Sequence, residues 1–186
     1  MKKALIIHGW DGSPDEPLHR YLKLELGRTG YVVKVPVMPN PDAPVIKDWL
    51  TKISQEFSEE YLFVGHSIGC QAILRFLEIL DGVKIPKVIL IAPWMKLDLQ
   101  TLKEEGQEVV EIAKPWMETS IDFEKVKNKV GEFFVIFSDD DPYISLDQAE
   151  FFKENLGAKV FVEHDQGHFT ESDNFAALQT PLTSLV

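Results

Sequence analysis

Cysteine is nearly missing from this chain. A single thiol, Cys70, in 186 residues excludes an internal disulfide framework and a cysteine-cluster metal centre. Cations are also scarce, with 19 lysines and arginines against 30 carboxylates and a net charge of −11. Phosphate binding needs a basic surface that displaces counterions, so this balance argues against nucleic acid and against anionic membranes as partners. Long apolar runs are lacking too. Lys2-Lys3 followed by Ala4-Leu5-Ile6-Ile7 starts like a secretion signal, but His8 and Gly9 end the run early, and no run approaches spanning length. A reducing, cytoplasmic setting is the expectation. Three further motifs are absent: a Gly-x-x-x-x-Gly-Lys phosphate loop, a Gly-x-Gly-x-x-Gly dinucleotide turn and a His-Glu-x-x-His zinc helix. A Ser-x-x-Lys acyl-enzyme motif fails because Cys70 stands where lysine is needed. No cofactor and no metal are expected.

What is present reads as strands alternating with helices over one domain spanning residues 1–186, of ordinary composition (45% hydrophobic, 26% charged). Apolar runs at 3–8, 31–37, 61–66, 87–92, 132–137 and 159–162 are strand candidates. The intervening stretches carry apolar residues at helical spacing, as in Leu18, Tyr21, Leu22 and Leu26, or Ile46, Trp49, Leu50, Ile53 and Phe57. Pro17 and Pro44 suit first helical turns, Asp42 suits a cap, and Ser145 with Gln148 fits a capping box. Residues 96–114 are charged and helical in part. The tail from Asp173 has only a weak apolar pattern. This alternation predicts right-handed crossovers and a mostly parallel six-stranded sheet with helices on both faces, an α/β fold.

One stretch stands out, Tyr61 to Leu74. A short apolar run leads into Gly65-His66-Ser67-Ile68-Gly69, and a helical apolar pattern follows. A Gly-x-Ser-x-Gly string is weak evidence alone; between a strand and a helix it is a strained elbow that lifts a serine above the sheet edge. A serine hydroxyl needs a base, best an imidazole oriented by a carboxylate. Ser67, Asp141 and His168 come in that chain order, each in a loop after a predicted strand, and in such sheets ligands sit at the carboxyl ends of the strands. Asp141 is one of three adjacent aspartates. It is favoured because the Pro142-Tyr143 turn would aim it back across the strand ends, with Asp140 the alternative. The backbone N–H groups of Ile68 and Trp10 are the candidate oxyanion donors. Trp94, Trp116, Met117, Tyr143 and Phe169 are candidates for an acyl pocket. Of the other histidines, His164 is read as structural, His66 as pointing away from Ser67, His8 as bonding nearby backbone, and His19 as a helix-surface residue. Cys70 reads as a small buried packing residue.

Ala4-Leu-Ile-Ile-His-Gly-Trp10, Gly65-His-Ser-Ile-Gly69, Ala92-Pro-Trp94, Ser138-Asp-Asp-Asp-Pro-Tyr143 and Gly167-His-Phe169 together span nearly the whole chain. On these residues it resembles the compact α/β-hydrolase family of serine hydrolases that includes YdeN-like bacterial proteins and retinoblastoma-binding protein nine. The resemblance implies a six-stranded parallel core with little or no cap, and activity through Ser67, Asp141 and His168. The expected function is carboxylesterase-like hydrolysis of a small-molecule acyl substrate, with thioesters and amides left open. The rival reading is a protein-binding module on the same fold without turnover; an acyltransferase or lyase on the same triad is a third.

Overall fold

The structure, a computed structural model, describes residues 1–58, 61–170, 175 and 178. The strands are β1 (Lys2–Ile7), β2 (Tyr31–Lys34), β3 (Tyr61–His66), β4 (Ile85–Ile91), β5 (Val130–Ser138) and β6 (Lys159–Glu163). They form one sheet in the order β2-β1-β3-β4-β5-β6, and every neighbouring pair is parallel. The central strands are apolar at consecutive positions. Successive side chains point to opposite faces, so the full burial of Ala4 to Ile7 and of Val88 to Ile91 means that both faces are covered. Each large aliphatic side chain buried there contributes roughly 1.5–3 kcal/mol, which is why these runs dominate the folding energy. The edge strands β2 and β6 alternate or mix exposure instead. This is an α/β-hydrolase fold.

Seven helices are described: α1 (Pro17–Arg28), α2 (Ile46–Glu56), α3 (Ile68–Ile79), α4 (Leu99–Glu105), α5 (Gln107–Glu118), α6 (Phe123–Asn128) and α7 (Gln148–Leu156). α1 packs on β2, α3 on β3 and β1, and α7 on β5 and β6, while α2 and α6 lean on α3. From β1 the chain crosses one way to β2 and then back to β3 on the other side. This reversal opens a crevice at the carboxyl ends of β1 and β3, where open parallel sheets receive ligands.

Two predicted caps are displaced. α2 starts at Ile46 with Val45 as its cap, so Asp42 and Pro44 lie ahead of it; the Asp42 carbonyl instead accepts the Trp10 indole N–H at 2.9 Å. Asp147 stands at the N-cap position of α7 without a side-chain hydrogen bond, and Ser145 contributes only its carbonyl, to the Gln148 N–H. The Gln148 side chain is used elsewhere: it accepts from the backbone N–H groups of Met95 and Lys96 and donates to the Lys96 carbonyl, tying the loop after β4 to α7. β2 also ends at Lys34, earlier than its β-branched run suggests. The predicted weak pattern of the tail falls mostly outside the described residues.

Candidate active site

Sterics build the first half of the site. Ser67 has φ 51° and ψ −124°, a left-handed conformation that a side chain makes costly. A Cβ on Gly65 would lie 2.8 Å from Cys70 Cα, and one on Gly69 would lie 2.4 Å from the Ile7 carbonyl oxygen. Glycine at both positions lets α3 leave β3 this sharply. The turn is pinned by the Ser67 N–H, which donates to the Ile91 carbonyl at 2.9 Å, and by the Cys70 N–H on the Ser67 carbonyl. Cys70 itself is buried, its Sγ 3.3 Å from the Ile91 carbonyl oxygen, and burial pushes its thiol pKa well up, which makes it inert packing. The Ser67 hydroxyl accepts a 3.4 Å hydrogen bond from the indole of buried Trp94. Among the described residues, the other non-glycine residues at positive φ are Asp11, Asn40, Ala92, Asp165 and Phe169. All follow the carboxyl end of a strand, so the backbone strain is gathered at one rim of the sheet.

Hydrogen bonds between loops build the second half. The three adjacent aspartates diverge. Asp139 accepts from His164 Nδ1 at 2.5 Å and from the Asp165 N–H. Asp140 accepts from the Ser138 hydroxyl at 2.6 Å and from the Gly167 N–H at 2.8 Å. Asp141 Oδ2 lies 2.8 Å from His168 Nδ1, while its Oδ1 accepts from the Tyr143 and Ile144 N–H groups. The Asp141 side chain is 1% exposed and that of His168 14%. A buried carboxylate saturated in this way orients an imidazole, and because Nδ1 donates to it, Nε2 is left as the basic nitrogen. The Tyr143 ring packs edge-on against His168 at 5.3 Å.

Two histidines stand where the sequence pattern did not put them. His66 does not turn away from the site. It lines the cavity, and its Nε2 donates to the His168 carbonyl at 2.9 Å, bracing that loop. His19 is not on the helix surface but fully buried, its Nδ1 donating to the Ser13 carbonyl at 2.8 Å. It faces inward because α1 starts only two residues earlier and its first turn lies against the rings of His8 and His66. His8, as expected, bonds nearby backbone, at Gly9 and Met38. Burial lowers the pKa of all three, that of His19 to about 4 and that of His66 well below the usual range, so they are neutral rings.

A cavity of about 880 Å³ opens at this rim. Ser67, His168, Gly9, Trp10, Trp94 and Tyr143 line it from the strand ends, and Leu102, Val109 and Ile112 line it from α4 and α5, which form what cover there is. Three predicted pocket residues lie elsewhere. Trp116 is core, its indole on the Pro44 carbonyl and its ring on Trp49. Met117 turns to the Leu97 N–H, and Phe169 is wholly buried. The signal that could have found this lining was the apolar pair Val109 and Ile112, three residues apart on α5 in a segment rich in charge. Ile68 opens α3, where the helix dipole favours negative charge.

The sequence model of the serine hydrolase family matches residues 4–185. The chain belongs to the serine hydrolase family. Within this family, it is 30% identical over 181 residues to YdeN of Bacillus subtilis (strain 168), covering 95% of this chain and 90% of the relative. The crystal structure of that gene product superposes with a TM-score of 0.84 at 29% identity, covering 99% and 98% of the two chains. The serine hydrolase RBBP9 of Rattus norvegicus is 24% identical over 168 residues, covering 89% of this chain and 81% of that protein. Est1E of Butyrivibrio proteoclasticus shares the fold at a TM-score of 0.78 and 15% identity, covering 99% and 86%. This serine hydrolase family member is accordingly a hydrolase by family, and no helix among its described residues is long and apolar enough to cross a membrane.

Proposed function

We propose that the protein is a carboxylesterase-like hydrolase that cleaves small carboxylic esters through an acyl-enzyme on Ser67, with thioesters and amides as further acyl substrates. The observation that carries the reading is the buried Asp141 carboxylate on His168 Nδ1, with His168 and the strained Ser67 facing one cavity. In this reading the Ser67 hydroxyl leaves the Trp94 indole and attacks the ester carbonyl carbon. Its proton passes to His168 Nε2, and Asp141 stabilises the imidazolium that forms. The N–H groups of Ile68 and Trp10 receive the oxyanion. Losing one such donor costs about 2.7–4 kcal/mol of transition-state stabilisation. His168 then hands its proton to the departing alcohol, and a water activated by the same nitrogen releases the acid. A reducing, cytoplasmic setting completes the proposal, resting on the single buried thiol of Cys70.

Incubation with a fluorophosphonate probe tests it. Intact protein should label at Ser67, and both labelling and hydrolysis of a p-nitrophenyl ester should vanish in Ser67→Ala. Folded wild-type protein that neither labels nor turns over any short ester would instead point to the binding module.

A further inference from the structure

The buried histidines differ in one respect. His8 uses both ring nitrogens, Nδ1 on the Gly9 carbonyl and Nε2 under the Met38 N–H. His19 and His66 each use one. His19 Nδ1 lies 2.8 Å from the Ser13 carbonyl oxygen and His66 Nε2 lies 2.9 Å from the His168 carbonyl oxygen. A carbonyl oxygen only accepts, so each of those nitrogens carries the ring hydrogen, and in a neutral ring the other nitrogen bears a lone pair. Those other nitrogens, His19 Nε2 and His66 Nδ1, are buried without a hydrogen-bond partner among the described residues. The two rings face each other edge-on with centroids 6.0 Å apart. Glu16, the residue just before α1, adds a carboxylate: one ligand atom from each of Glu16, His19 and His66 lies within 4.8 Å of the others. The Glu16 carboxylate is held by the His19 Nδ1–H at 3.2 Å, whereas the two buried lone pairs stay unmatched unless a cation or a hydrogen donor joins them.

We propose that Glu16, His19 and His66 form a binding site for a divalent transition-metal ion of the zinc class, in the wall of the Ser67 cavity. Three features support a metal over a shared water. Each histidine already donates its second ring N–H to a backbone carbonyl, the arrangement that holds a metal-ligating imidazole in its tautomer. Two imidazoles and one carboxylate suit zinc or its first-row neighbours, whereas magnesium and calcium prefer all-oxygen sites. Glu16 and His66 line the cavity, which gives the ion a way in. The Glu16 carboxylate accepts from the Ser13 N–H and lies 3.2 Å from His19 Nδ1; being only partly buried, it can exchange these contacts for an ion at the short bond lengths, about 2.0–2.1 Å, that zinc requires. The site stands whether or not Ser67 is a nucleophile; if it is, an ion there narrows the cavity and inhibits.

Titration of metal-free protein with cobalt(II), read by its visible d–d absorption, and with zinc by calorimetry tests the site. One ion should bind per chain, with tetrahedral-type cobalt bands and a rise in Tm. Glu16→Gln and His19→Gln should each weaken binding by at least about tenfold, since loss of even an outer-shell partner costs 10–100-fold. His164→Ala, which removes the exposed Asp139 pair, should leave affinity unchanged. Folding of each variant is checked by circular dichroism, and Glu16→Gln keeps the test open if His19→Gln does not fold. Absence of stoichiometric binding would overturn the proposal, as would binding lost in His164→Ala but retained in Glu16→Gln; a shared water between the rings is the first of these outcomes.

Discussion

The two halves of the candidate active site are held by different physics. Ser67 is positioned by steric exclusion between β3 and α3, in a segment where every residue from Leu62 to Leu77 is buried. His168 is positioned by hydrogen bonds across two loops, Asp139, Asp140 and Asp141 each reaching a different partner in the segment 164–168. Sterics of this kind act over a few residues and leave one solution. Hydrogen-bonded loops have alternatives, and the three aspartates are interchangeable until the fold assigns them. The elbow should therefore fail by unfolding and the loops by misdirected chemistry.

The largest expected effect is on catalysis. Ser67→Ala and His168→Ala should each lower kcat on a p-nitrophenyl ester by more than about 10⁴-fold without changing the melting transition, as in other triads. Asp141→Asn should approach a 10⁴-fold loss, because it spoils the tautomer of the base. Asp140→Asn keeps the Ser138 and Gly167 contacts geometrically possible and should cost about tenfold at most. Equal losses in the two asparagine variants would mean that the loop, not one carboxylate, is what matters.

Stability separates the halves in the opposite sense. Gly69→Ala forces a methyl against the Ile7 and His8 carbonyls and should cost about 3 kcal/mol or more in urea unfolding. Gly167→Ala has open space around it and only a positive φ to resist, so about 1–2 kcal/mol is expected. Gly167→Ala as damaging as Gly69→Ala would erase the distinction.

Acid should weaken the elbow side next. His8, His19 and His66 have folded pKa values below that of an unfolded histidine, near 6.5, so between these values the unfolded chain binds more protons than the folded one. Their contribution is fully present above pH 6.5 and is lost as pH falls toward about 4 for His19. The slope is about 1.4 kcal/mol per pH unit for each histidine still neutral when folded. Urea midpoints across that range read it directly, and a flat profile would contradict the buried neutral rings.

The smallest effect concerns substrate charge. Asp11, Glu16, Asp42, Glu105 and Glu108 line the cavity, and no lysine or arginine does among the described residues. A negatively charged ester should be hydrolysed several-fold more slowly than its neutral isostere. The gap should shrink as salt screens these mostly exposed carboxylates. A gap indifferent to salt would assign the preference to shape.

The amino-acid sequence by itself determined the strand runs, the elbow and the rim of the sheet at which the unusual residues gather. Each of these depends on local rules: side-chain period, glycine sterics, and the handedness that puts every loop after a parallel strand at the same edge. The direction of side chains in the later loops was beyond it. Trp116 and Met117 share the Pro-Trp-Met string with Trp94, yet only Trp94 reaches the cavity, because α5 turns Trp116 onto Trp49 instead. His19 looked like one more polar residue on a helix until α1 closed over His8 and His66. Which of three neighbouring carboxylates meets an imidazole, and which histidines become buried neutral rings, depends on contacts between segments about 25 to 100 residues apart. Only tertiary structure decides those, since no local preference distinguishes the competing partners.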